Sequence, residues 1–436
     1  MKRIFYKFPF HSFFAEIVAT STFRQSSVTF TGTVINAILG AVFYLLAARL
    51  LGPAVFGLLS VVIVTQTLIT DIGDLGINTG LVNFIPRYIK KDLDKTRKFL
   101  KLALETKIII FLVVLILGLV LSGLVAKNIF DKPELQKPLQ IGIIGVGALS
   151  LFSFITQVLQ AKQKYFFWSS IQIATNACRV LAIFLLTVFG YLSLESTLWV
   201  YITLPFIGFV IGLFLISPDF LKVKNEWAVA REFFNFNKWV AAFAIIAAIS
   251  SRLDTFISAR LLSPNDLGLY SAANQLVRVI PMIISAIGTV IAPKMASLDS
   301  KEKLVTYLKK TQVMVLGIAV LGVIFIPFVL WIIPIVLGPE YIGSGSIFII
   351  LLFAMLIFLI SVPIHTAIIY YFSYPKLFFR LAILHLVVIA VSGWILTSSY
   401  GALGTATSVL IGQIVNFLIP LCWVLLKVKK DSTTLK

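Results

Sequence analysis

Twelve apolar runs, each close to the length of a bilayer crossing, leave this chain one kind of solvent. A hydrocarbon core needs roughly 20 consecutive apolar residues per helix. Runs of that kind lie at 28–48, 56–79, 102–126, 141–159, 167–189, 198–216, 239–261, 267–292, 313–333, 347–369, 377–396 and 403–426, numbered here as spans 1 to 12. With 59% hydrophobic and 13% charged residues in a chain of 436, a water-soluble fold would have too little polar surface to cover its interior. Lipid offers no hydrogen-bond partners, so each run must satisfy its own backbone as a helix. The expected fold is an all-α membrane protein of twelve transmembrane helices.

The basic residues orient these helices. Of the 37 Lys and Arg residues, 28 fall on one set of connections and 5 on the other, while Lys107, Arg179, Arg252 and Arg278 fall inside runs. Loops rich in Lys and Arg stay in the cytoplasm. Both termini are therefore expected there, in a multi-pass protein of the cytoplasmic (plasma) membrane. The net charge of +19 is spread between spans rather than gathered on one domain, so no nucleic-acid partner is expected. The expected division is a cytoplasmic interfacial segment at 1–27, an N-lobe of spans 1–6 at 28–216, a cytoplasmic amphipathic linker at 217–238, a C-lobe of spans 7–12 at 239–426 and a cytoplasmic tail at 427–436. Cys178 and Cys422 lie within apolar runs and read as buried small hydrophobes, with no disulfide framework and no cysteine metal site.

A short repeat relates the two halves. Ala48-Arg49-Leu50-Leu51-Gly52-Pro53-Ala54-Val55-Phe56-Gly57 recurs as Ala259-Arg260-Leu261-Leu262-Ser263-Pro264-Asn265-Asp266-Leu267-Gly268, with six of ten residues identical at an offset of 211. Each copy joins two spans, and the copies lie six spans apart. Six is even, so the halves have the same orientation, as parallel repeats about an axis along the membrane normal. Pro133-Glu134 and Pro339-Glu340, both in outer connections at an offset of 206, support the register.

Arg49-Leu50-Leu51-Gly52-Pro53 with Phe56-Gly57, then Asp74-Leu75-Gly76 and Arg87-Tyr88-Ile89, resemble the first two helices of the Wzx-type polysaccharide flippases. In the second half Asp254, Leu262-Ser263-Pro264, Leu267-Gly268-Leu269-Tyr270 and Gly338-Pro339-Glu340-Tyr341 resemble the same family. These motifs mark a wider superfamily, the multidrug/oligosaccharidyl-lipid/polysaccharide exporters. Its lipid II flippases usually carry two further helices, whereas twelve are read here. The resemblance implies two six-helix lobes around a central cavity lined by spans 1, 2, 7 and 8. It implies an oligosaccharide on a polyprenyl diphosphate as the substrate, with glycosyltransferases and a polysaccharide polymerase as partners in surface polysaccharide biosynthesis.

Charge inside a span costs roughly 2.5–3.5 kcal/mol at the helix centre, so an ionisable residue there must face protein or water. Arg278 sits near the middle of span 8, Arg252 and Asp254 in span 7, Arg24 just before span 1, and Asp71 and Asp74 near the end of span 2. Thr67, Asp71, Asp74 and Asn78 step by four, three and four, which places them on one helical face. The 211 offset aligns Thr67 with Arg278 and Asp74 with Ser285, so one lobe offers an acidic stripe and the other Arg278, Ser285 and Thr289. Arg278, Arg252 and Arg24 are the expected diphosphate ligands, since a guanidinium fork grips phosphate oxygens bidentately and stays charged. The competing role for Arg278 is an interlobe latch to Asp71 or Asp254. Asp71, Asp74 and Asp254 serve ion coupling or structure; Asp71 and Asp74 have backbone groups or Arg87 within reach. Arg49 and Arg260 are expected to cap the carbonyls ending spans 1 and 7.

No phosphate-binding loop, His-Glu-x-x-His or Cys/His ligand cluster occurs. No cofactor or metal is expected, and a transporter rather than an enzyme. The alternative is a cation-coupled multidrug extruder of the same architecture, whose cavity should be net acidic.

Overall fold

The computed structural model describes residues 21–374 and 376–433, and these are helical almost throughout with no strand among them. Residues 1–20, most of the expected interfacial segment, lie outside the described part. Ten of the described helices are long and apolar enough to cross a membrane. Two of these, Ser27–Gly73 and Lys376–Lys429, each carry two spans, because the backbone leaves helical geometry at Gly52 (φ 75°) and Gly401 (φ 59°). Side chains disfavour a positive φ of this kind, which is why glycine stands at both bends. After Gly401 the chain doubles back: Thr397 Oγ1 meets Thr405 Oγ1 at 2.9 Å, and Gly412 faces His385 and Ile389. Twelve membrane-crossing segments result.

Several spans differ in detail from the reading of the sequence. Span 2 ends at Gly73, since Leu75 (φ 45°) and Gly76 (φ 75°) are left-handed. The expected four-residue polar face is therefore broken after Asp71. Span 7 starts at Trp227, so most of the expected linker is one helix with it rather than a separate surface helix; only Pro218–Lys222 forms a 3-10 turn. Span 7 is interrupted between Ser250 and Leu253, and span 8 between Val277 and Val279. The break in span 8 has a local cause: Pro281 has no N–H for the carbonyl of Val277, so the turn before it tightens at Arg278. Cys178 and Cys422 are free and exposed, not buried as expected.

The repeated motif forms the contact between lobes, and it does so reciprocally. A Cβ on Gly57 would lie 2.3 Å from the Pro264 carbonyl oxygen, and one on Gly268 would lie 1.9 Å from that of Pro53. Each copy thus sets its glycine against the other copy's proline. The Pro-Glu loops cross over in the same way. Tyr341 donates to the Ala48 carbonyl at 2.8 Å, while Lys132 donates to the Ala259 carbonyl at 2.7 Å. Arg49 donates to the carbonyls of Ile335 and Val336, and Arg260 lies 3.8 Å from Asp131. Both arginines thus reach the opposite lobe instead of capping their own helices. At the other end of the molecule, the basic end, Tyr88 donates to Glu232 at 3.0 Å. Lys95 pairs with Glu232 and Lys98 with Glu226, both at 2.9 Å, so the start of span 7 is held against the N-terminal lobe.

Backbone contact this close leaves no room for a side chain, and overpacking costs about 1–3 kcal/mol. Gly268→Val is expected to part the lobes at the motif end. Spin labels at the exposed positions Ala54 and Asn265 should report a longer separation; an unchanged distance would show that the contact does not need glycine.

Candidate functional site

Beneath the Gly–Pro contact lies a small cavity of about 30 Å³ between the lobes. Tyr44 of span 1 and Ser60 and Val64 of span 2 form one wall; Thr255 of span 7 and Asn274, Gln275 and Arg278 of span 8 form the other. These are the four spans that the family resemblance implied. Arg278 occupies the break in span 8, is exposed, and makes no salt bridge or side-chain hydrogen bond among the described residues, although it is near enough to Asp254 for their charges to interact. Ser285 and Thr289 on the same span are also exposed, with Thr289 returning its hydroxyl to the Ala286 carbonyl.

The other expected ligands lie elsewhere. Arg252, at the break in span 7, donates to Asp71 Oδ2 of the opposite lobe at 2.6 Å. It also donates to the Ala248 carbonyl and Ser251 Oγ, both at 3.3 Å. The interlobe latch therefore exists, but its cation is Arg252, not Arg278. The side chain of Asp71 is 51% exposed and that of Arg252 22%, so this pair, unlike that of Lys107 and Asp74, is open on one side. The side chain of Arg24 lies outside the described residues.

Asp74 and Asp254 are engaged within their own lobes. Asp74 pairs with Lys107 Nζ at 2.7 Å, and the Lys107 side chain is only 1% exposed. Asp74 also accepts from the Asn78 backbone N–H at 3.2 Å, and Lys107 reaches Ser153 at 3.3 Å. The pair ties spans 2, 3 and 4 together where the helix of span 2 ends; Arg87 takes no part in it. Asp254 accepts a short hydrogen bond from the Tyr270 hydroxyl, joining spans 7 and 8. Reading the sequence did not single out Lys107. Its signal was present, as the one basic residue in the apolar run 102–126.

Arg179 is held inside the N-terminal lobe. It stacks over the Tyr201 ring at 4.1 Å and donates to the Tyr201 carbonyl and to Asn176. Asn176 in turn donates to Asn36 of span 1 at 2.7 Å. His365 meets the Asn416 carbonyl at 3.0 Å and is a satisfied core histidine.

Residues 23–299 match the family described as "Polysaccharide biosynthesis protein". The chain belongs to that family. An uncharacterized membrane protein of Methanocaldococcus jannaschii is 23% identical over 406 residues, 89% of this chain and 94% of that protein. Among solved structures, the lipid II flippase MurJ in an inward closed conformation matches with a TM-score of 0.71 and 17% identity, over 91% of this chain and 87% of that one. An inward-facing multidrug resistance MATE family transporter gives 0.67 and 12%, over 92% and 96%. A MOP superfamily transporter from Pyrococcus furiosus, described as having a binding pocket of reverse polarity, gives 0.57 and 12%, over 93% and 95%. At these identities the likeness is one of fold, and it is the fold that the family resemblance implied.

Removing one member of a buried ion pair leaves an uncompensated charge and costs about 3–5 kcal/mol, whereas removing both is close to neutral. Lys107→Met is expected to lower the unfolding midpoint in detergent sharply, and Asp74→Asn/Lys107→Met to recover most of the loss. Equal stability of the single and double variants would mean that the pair holds nothing together.

Proposed function

We propose that this member of the polysaccharide biosynthesis family is a flippase. It moves a polyprenyl-diphosphate-linked oligosaccharide from the inner to the outer leaflet of the cytoplasmic membrane by alternating access of its two lobes. The observation that carries the reading is Arg278: an unpartnered guanidinium at a helix break, open to a cavity between lobes. Leaving a cation so placed with no carboxylate in salt-bridge contact is costly unless the ligand brings the negative charge. A diphosphate does, and its oxygens match the guanidinium fork. Arg252 is the second ligand, released when the diphosphate competes with Asp71 for it. Binding then weakens this latch between the lobes, on the side of the cavity toward the basic end, which we take as cytoplasmic from its excess of Lys and Arg. Arg24, four residues before span 1 in the sequence, is the third proposed ligand.

The multidrug extruder is the weaker reading. A cationic drug needs a free carboxylate, yet Asp71 and Asp74 are paired with cations and Asp254 is bonded to Tyr270. Glycosyltransferases that build the lipid-linked sugar and a polymerase that consumes it are the partners this role requires.

The test is transport by purified protein in vesicles, comparing a labelled polyprenyl-diphosphate sugar with a cationic dye. A charge-assisted hydrogen bond is worth about 1.5–3 kcal/mol, so Arg278→Ala should slow lipid flipping by roughly tenfold to a hundredfold, with Arg278→Lys intermediate. Undiminished flipping by Arg278→Ala, or transport of the dye alone, would overturn the proposal.

A further inference from the structure

At the basic end of the N-terminal lobe, away from the cavity, Arg97 and Lys162 line a separate pocket of about 220 Å³, and two lysines cap the helix end beside it. These lysines mark its depth. Lys162 Nζ donates to the Ile216 carbonyl at 3.0 Å and Lys164 Nζ to the Leu215 carbonyl at 3.2 Å. These carbonyls end span 6, where helices attract cations. The pocket therefore sits where the hydrophobic crossing stops and the headgroup layer begins. Arg97, from the first turns of the helix Leu93–Leu124, lines it and has no partner among the described residues. Asp219 is the one carboxylate on the lining, and it already holds Lys222 at 3.2 Å. Positive charge is thus in excess. Burial, and then repulsion from Lys164 and Arg97, pushes the Lys162 ammonium below the ordinary lysine value. An anion in the pocket would relieve that repulsion.

The walls narrow the choice of anion. Leu93, Leu100, Ile216 and Phe220 line the pocket beside the charged groups, and Leu93 is 53% exposed at its rim. A soluble anion has no use for these surfaces, whereas the glycerol ester region of a lipid does. We infer that this pocket binds the phosphodiester headgroup of a phospholipid in the leaflet at the basic end, with Arg97 and Lys162 as its phosphate ligands. The site is independent of the transported substrate. It braces the corner from which the chain leaves span 6 toward the C-terminal lobe, a stretch tied back to span 3 by Asn225 on Glu105.

The test uses the full chain in detergent, titrated separately with dioleoyl phosphatidylglycerol, dioleoylglycerol and inorganic phosphate. The readouts are the unfolding midpoint and retained lipid by native mass spectrometry. Arg97→Gln leaves both lysine caps in place, so its fold is kept. Phosphatidylglycerol should raise the midpoint of the wild type and remain bound, while dioleoylglycerol should do neither. Arg97→Gln should bind at least about tenfold more weakly, the factor that 1.4 kcal/mol supplies. The exposed pair Lys309→Gln/Lys310→Gln, at the basic end of span 9, should bind like the wild type. Undiminished lipid binding by Arg97→Gln, or an equal shift from inorganic phosphate alone, would overturn the assignment to a lipid.

Discussion

Two backbones touch where Gly57 and Gly268 each face the proline carbonyl of the opposite repeat, and the geometry of the molecule hangs on that contact. In lipid there is little hydrophobic gain from pressing two helices together, so close association needs small residues that let the backbones approach. The repeat supplies them twice, with proline at the first turn of each following helix. Around this point the lobes exchange partners: Tyr341 on Ala48, Lys132 on Ala259. Each lobe satisfies carbonyls that end a helix of the other. The pseudo-twofold axis thus runs through the residues that reveal the repeat in the sequence, and the cavity lies on it just below.

Span number and the order of the two halves were legible because they depend on quantities that a sequence displays directly, whereas the spans lining the cavity came from the family resemblance. Apolar length reports bilayer thickness, and charge asymmetry reports sidedness. The breaks in spans 7 and 8 were less visible. Pro281 did announce the one at Arg278, three residues ahead. Nothing local announces the one at Ser251–Arg252, since neither residue prevents a helix. The partners of Arg49, Arg260 and Arg252 were illegible for a different reason. Each lies in the other lobe, 286, 129 and 181 residues away in sequence, and only the docking of the lobes decides which faces meet.

Among the intramembrane charges, those with partners and the one without divide by role. Lys107 with Asp74 and Asp254 with Tyr270 bind neighbouring spans within a lobe, in surroundings that exclude water from one member of each pair. Such groups are expensive to separate and so behave as fixed joints. Arg252 with Asp71 spans the lobes, and half of the Asp71 side chain meets solvent. That pair is less enclosed than the joints within each lobe.

The two closures of the cavity therefore differ in kind. The motif end is shut by backbone against backbone, with Tyr341 and Lys132 buried over the carbonyls they serve. On the basic side the lobes are joined by the exposed Arg252–Asp71 ion pair partway along the helices and by lysine–glutamate contacts on the rim, with Lys95 and Glu232 side chains 26% and 36% exposed. Water or an incoming anion can replace a partner in contacts of the second type; neither can replace a glycine pressed against a carbonyl. On the proposed reading, an anionic headgroup that has passed the rim would reach Arg252, whose bond to Asp71 can be exchanged, before Arg278, which holds no salt bridge among the described residues. In that proposal neither fixed joint, Lys107–Asp74 nor Asp254–Tyr270, has to break for the anion to move inward.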